Sequence, residues 1–392
     1  MLIELLGCPV HRLLVICTAF TAFCASSLLA QNMMPTVTGS SSLHDASEPL
    51  FEIARLQTKL DEFNDAQQNY LAGIELLIQE NGGYSPSLIE PYTELAQTFI
   101  LTGEHREAIS TLEQAQHISQ RNFGLLNLDQ VLLLDEMSNA YLLMGNTILA
   151  ENIQQERLTL ALRRYGEDDP QVIPFRRHLA NYYDLSRMRG RAREQFENIL
   201  DIQQQNFEEF DGRQLSTLSE LVRIDILLGN SNSSRRRLLT MLESRDNIAP
   251  TEVGNALAIL GDWDLARGQT ETALQYYRDA YKVLNAEQPS LATEYFSTPR
   301  LINFIPPPSP VDRQGNHTRY IWSWMSARFN ISSLGMPNNI EIIDSSPNRF
   351  MNSLYTSRLS EAVYRPRLVD GEPSNTTAVS YSHQFRSFIG GD

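Results

Sequence analysis

Most of this chain alternates apolar and polar positions at the period of a helix, and the helices themselves recur. Leu95-Ala96, Phe99, Gly103, Ala108, Leu112 and Ala115 have the spacing of a helix, a break and a second helix. A step of 42 residues puts Met137-Ser138, Tyr141, Gly145, Ala150, Gln154 and Arg157 in the same slots. The next step gives Leu179-Ala180, Tyr183, Arg187, Ala192, Phe196 and Ile199, and a third gives Leu221-Val222, Asp225, Gly229, Ser234, Leu238 and Met241. One step backward gives Ile53-Ala54, Gln57, Asp61, Ala66, Tyr70 and Gly73. A last copy, offset by 39, gives Leu260-Gly261, Asp264, Gly268, Ala273, Tyr277 and Ala280. The phase predicts six stacked helical hairpins.

Each slot has a physical role. The small residues at 66, 108, 150, 192, 234 and 273 come early in the second helix, where only a short side chain lets two helices approach. Glycines 103, 145, 229 and 268 suit a left-handed residue that ends the first helix. The residue four before each turn slot is expected to be large and apolar or aromatic. Gln57, Asp225 and Asp264 depart from that pattern. A single hairpin cannot bury its apolar face, so neighbours must stack.

On these residues the chain resembles the tetratricopeptide repeat, in a 42-residue form. The resemblance implies a right-handed α-solenoid over residues 48–296 that grips polypeptides in a groove lined by its first helices. The groove-facing candidates it implies are Thr93, Gln97 and Ile100, then Asp135, Asn139 and Leu142, then Arg177, Asn181 and Asp184.

The pattern changes after Gln288-Pro289. Pro306-Pro307-Pro308-Ser309-Pro310 lies in a Pro-rich linker, taken as residues 297–317. Residues 320–331 then alternate with period two: Ile321, Met325, Ala327, Phe329 and Ile331 lie on one side, Tyr320, Trp322 and Trp324 largely on the other. A turn at Ser333-Leu334-Gly335-Met336-Pro337 leads to a returning strand marked by Ile340, Ile342 and Ile343. Residues 348–362 have helical spacing, and residues 364–369 and 378–385 are extended. The expected unit, 318–388, is a small α+β domain, so the fold class is mostly α with an α+β terminus. Trp322 and Trp324 are candidate peptide contacts on one strand face.

Ala327-Arg328-Phe329-Asn330-Ile331, Asn339-Ile340-Glu341-Ile342, Ser345-Ser346-Pro347, Tyr364-Arg365-Pro366-Arg367 and Gly371-Glu372-Pro373 together resemble the carboxy-terminal domain of TonB proteins. That resemblance implies a periplasmic module that docks a peptide by strand addition. Its partner would be an outer-membrane transporter or another envelope protein. The pattern departs from an energy transducer in two ways. His11 lies before the amino-terminal apolar run, and an acidic solenoid stands where a long proline-rich spacer is expected.

Residues 1–30 have the form of a signal peptide: Arg12, an apolar run from Leu13 to Ala22, then small residues up to Ala30. Retained, the same segment would anchor the chain in the inner membrane and fit an energy-transducing component. Residues 31–47 are a Ser/Thr-rich lead-in. Cys8, Cys17 and Cys24 all fall within the targeting segment, so a mature chain has no disulfide framework and no thiol chemistry.

The net charge is −15. From Pro299 onward nine arginines face seven acidic residues, so the part before it carries −17. An acidic body lacks the positive footprint of a nucleic-acid binder. The seven histidines are scattered and no phosphate-cradling or nucleophile-elbow motif occurs, so no enzyme, metal or cofactor is expected. The acidic runs Glu167-Asp168-Asp169 and Glu208-Glu209-Phe210-Asp211 fit solvated loops, and Arg235-Arg236-Arg237 fits a solvated helix face.

Overall fold

The computed structural model describes residues 47–208, 211–229, 232–244, 248–307, 320–346 and 351–388, with backbone only at 320–322 and 386–388. The expected signal peptide and nearly all of the lead-in lie outside the described residues, as do residues 308–317 of the expected linker. Among the described residues no helix is long and apolar enough to cross a membrane.

The helical hairpins pair α1 (Glu48–Lys59) with α2 (Phe63–Asn81), and α3 (Ile89–Thr102) with α4 (His105–Phe123). Next come α5 (Val131–Leu143) with α6 (Thr147–Tyr165), and α7 (Ile173–Leu185) with α8 (Arg189–Asn206). The last two join α9 (Gly212–Leu228) to α10 (Ser233–Glu243), and α11 (Pro250–Leu265) to α12 (Thr270–Glu287). All six match the copies in the sequence. Ala66, Ala108, Ala150, Ala192, Ser234 and Ala273 are each 0% exposed, as the close approach of paired helices requires. An apolar cluster spans each junction between neighbouring hairpins.

The turn slot is left-handed in every copy. Gly103, Gly145, Gly229 and Gly268 have φ of 84, 76, 67 and 76°, and Asp61 and Arg187 adopt φ 61° without being glycine. The reason is hydrogen bonding. In five copies the N–H following the slot reaches the carbonyl five residues back, as Glu104 does to Phe99 at 2.8 Å and Met188 to Tyr183 at 2.7 Å. That bond caps the helix only if the slot residue turns left-handed.

Beyond the sixth hairpin comes a short helix, α13 (Pro289–Tyr295), and then strand β1 (Arg300–Asn303). The segment expected as linker therefore contributes a strand, which pairs antiparallel with β4 (Val363–Arg365). Four residues are too few for alternation to be read from sequence. A three-stranded antiparallel sheet follows, with β2 (Tyr320–Ile331) between β3 (Pro337–Ser346) and β7 (Thr376–Phe388). Helix α14 (Asn352–Ser360) is shorter than its expected span, with residues 347–350 outside the described set. A small ribbon of β5 (Arg367–Val369) and β6 (Glu372–Ser374) completes the module. Its core is Met325, Ala327, Phe329 and Ile331 of β2 against Tyr355, Leu359, Tyr364 and Phe385, as the alternation along β2 requires.

The module is welded to the end of the solenoid. Leu368 and Ile302 belong to the same apolar cluster as α11 and α12, and the Leu368 N–H donates to the Phe296 carbonyl at 3.1 Å. Arg278 of α12 pairs with Glu372 at 3.0 Å.

Candidate partner-binding surfaces

Side-chain ties run directly between consecutive first helices. Arg55 donates to Glu94 (2.8 Å), Gln97 to Glu136 (3.1 Å), Arg177 to Thr217 (3.1 Å), and Arg223 pairs with Asp184 (2.8 Å). The α9 and α11 backbones also approach closely. These ties define one face of the stack, the face that the tetratricopeptide resemblance makes the inner one.

On that side one position per hairpin forms a column: Arg55, Gln97, Asn139, Asn181, Arg223 and Asp262. Gln97, Asn139 and Asn181 are exposed. Leu142 is 39% exposed, and Ile100 and Thr93 are half-buried, the Thr93 hydroxyl donating to the Ile89 carbonyl of its own helix. Asp135 lies between hairpins, ion-paired with Arg157 at 3.1 Å and facing His178 Nε2 at 3.4 Å. Asp184 and Arg177 are engaged by Arg223 and Thr217, so these three candidates brace neighbouring hairpins while edging the inner face. A row of leucines 42 residues apart, Leu101, Leu143 and Leu185, lines the hairpin tips at 56, 37 and 74% exposure.

The last member of the column meets the terminal module. Arg365 of β4 reaches Asp262 with two bonds, Nε to Oδ1 at 2.8 Å and Nη2 to Oδ2 at 2.5 Å, and its side chain is 2% exposed. Tyr277 donates to the same carboxylate at 2.9 Å. The Tyr277, Tyr295 and Phe296 rings surround the guanidinium at 5.7, 5.2 and 5.8 Å. Burial alone would lower the Arg365 pKa, but Asp262 holds it well above the ordinary value. Burial and the same carboxylate push the Tyr277 phenol upward. The chain's own arginine thus occupies the sixth hairpin's position in the column.

On the module, Trp324 is 36% exposed and donates from Nε1 to Asp344 at 3.2 Å, bridging β2 and β3. Trp322 lies opposite Arg386 in the ladder, and its side chain is outside the described residues. The outer edges of the sheet are β3 and β7. Strand β3 is bulged: Ile343 and the Asn339-Ile340 segment fall out of register with β2. Strand β7 pairs without a break from Val379 to Phe388. Arg187 at a solenoid turn, together with burial as the larger cause, keeps His383 of β7 below the ordinary imidazole pKa.

Ion pairs between hairpins stand where the repeat pattern called for apolar side chains. Asp225 and Asp264, at slots where an aromatic was expected, are 0 and 1% exposed; Arg193 reaches Asp225 at 2.9 Å and Arg235 reaches Asp264 at 3.1 Å. Ser234 donates to Asp225 at 2.6 Å. The signal was present: Arg193 and Arg235 each directly follow the small slot of one copy, and the aspartates fill the aromatic slot of the next. The arginine triplet expected to be solvated is instead partly engaged, with Arg235 on Asp264 and Arg237 on Glu197. Among the described residues no three His, Cys, Asp or Glu side chains converge.

No family model and no curated protein matches this chain. Solved structures similar to it are repeat proteins. One is a set of nearly identical TPR-like repeats from Podosopora anserina described as kinesin light chain: TM-score 0.41, 18% identity, 52% of this chain and 98% of that one. Another is BtubC from P. vanneervenii, with TM-score 0.38, 17% identity and coverage of 68% and 96%. A third is a STAND ATPase with a tetratricopeptide repeat sensor from Pyrococcus horikoshii: TM-score 0.40, 17% identity, 64% of this chain and 38% of that one.

Proposed function

We propose that this protein is an exported interaction protein of the bacterial envelope, in which the solenoid holds one polypeptide and the terminal module another. The observation that carries the reading is the inner-face column. Gln97, Asn139 and Asn181 repeat exposed amides at one position per hairpin, beside a leucine row, and the far end of the column is closed by the chain's own module. Regularly spaced amides suit the backbone of an extended peptide, and exposed leucines suit its side chains. For the module, the TonB-like arrangement and the unbroken β7 edge support peptide docking by strand addition, with an outer-membrane transporter or another envelope protein as partner. The amino-terminal pattern supports export and cleavage.

The second reading is an energy-transducing component with an uncleaved amino-terminal anchor, favoured by the apolar run from Leu13. The two differ at the amino terminus of the mature protein: residues near Gln31 indicate the adaptor, an intact Met1 the transducer. The solenoid half is tested by affinity capture from the native host with the full chain and its Asn139→Arg/Asn181→Arg variant. The adaptor reading expects specific partners to be lost from the variant while helicity is unchanged. Identical capture by both chains would overturn groove binding.

A further inference from the structure

At the joint between solenoid and module lies a cavity of about 220 Å³ that the reading above does not use. Three arginines line it from three separate elements: Arg189 at the start of α8, Arg223 in α9 and Arg300 in β1. Ile226, Leu227 and Phe304 supply apolar wall.

The charges nearby do not cancel the arginines. Asp262 also lines the cavity, but its carboxylate is taken by Arg365 and Tyr277. Arg223 is held by Asp184 at 2.8 Å and Glu220 at 2.8 Å. Arg189 is 4.0 Å from Asp184, beyond hydrogen-bond reach, and its Nε is buried without a hydrogen-bond partner. Arg300 makes no ion pair among the described residues and stands in the β1–β4 ladder opposite Arg365, whose charge Asp262 already balances. A buried guanidinium N–H without an acceptor is costly, and Arg300 brings a charge with no counter-charge. Both are met by one ligand, an oxyanion placed between Arg189 and Arg300. In a chain of net charge −15, such a local excess of guanidinium stands out.

We propose that this cavity is a binding site for a small oxyanion, and that the apolar wall selects a carboxylate attached to a short hydrocarbon body. Arg189 and Arg300 supply the donors, while Arg223, fixed by its two carboxylates, shapes the floor. Because the donors come from both the solenoid and the module, the ligand braces the joint.

Isothermal titration of the full chain in low-ionic-strength buffer tests this, with 4-methylpentanoate and inorganic phosphate as separate probes. Arg189→Gln, Arg300→Gln and the distant exposed Arg328→Gln serve as variants. The expected result is saturable one-to-one binding, tighter for the carboxylate, weakened roughly 10-fold or more in each of the first two variants and unchanged in the third. Tighter binding of phosphate with the same arginine dependence keeps the oxyanion site and overturns the hydrocarbon selection. Absence of binding by both probes, or binding that all three variants leave alike, overturns the site. Arg300→Gln is the decisive variant if Arg189→Gln lowers stability, because Arg300 is exposed and its loss leaves the core intact.

Discussion

Residue chemistry decides where this chain turns. Gly103 has φ 84° and nothing within 4 Å of where a Cβ would sit, so substitution there probes backbone conformation alone. Gly103→Ala is expected to cost about 1–2 kcal/mol through the left-handed conformation. A thermal or urea denaturation series checks this, and a change within a few tenths of a kcal/mol would contradict it. Asp61 and Arg187 show why a glycine motif could not mark all six turns. The Glu62→Gln57 and Met188→Tyr183 backbone bonds impose the turn whatever residue occupies it. At this scale the sequence was readable in its small and glycine slots. It misled at Asp225 and Asp264, because an acid in an apolar slot looks like decay until its partner arginine, a repeat away, is seen.

Among elements, the joint between solenoid and module has the most consequence. Strand β4 sends Arg365 into α11 and α12, where Asp262 and three aromatic rings enclose it. Removing one member of a buried pair strands the other. Arg365→Met and Asp262→Asn are each expected to destabilise the joint by about 3–5 kcal/mol, and the double replacement by less than their sum. Hydrogen exchange of the β1–β4 amides reads this directly. Unchanged protection in both single variants would show that the module docks by apolar contact alone. Strand β2 was legible because twelve residues of alternation exceed chance, and the extended stretches at 364–369 and 378–385 fall on β4–β5 and within β7, whereas β1, α13 and β6 were not legible. Those short elements exist because something is docked beside them, and docking leaves no local period.

For the whole molecule, the chain is a stack of six hairpins whose inner face is open along its first four copies and closed at the last by its own terminal module. Nothing in the period of the sequence announced that closure, since Asp262 and Arg365 are 103 residues apart. The central claim is that the open inner face is where other polypeptides bind. It is tested most directly by placing a photo-crosslinking amino acid in the full chain, in its native host. The inner-face sites are Gln97, Asn139 and Asn181, and the comparison sites are Glu156 and Asp201, both exposed on second helices. Discrete polypeptide adducts are expected from the inner-face sites and none from Glu156 or Asp201. Adducts from the second-helix sites, or none from the column, would contradict the claim.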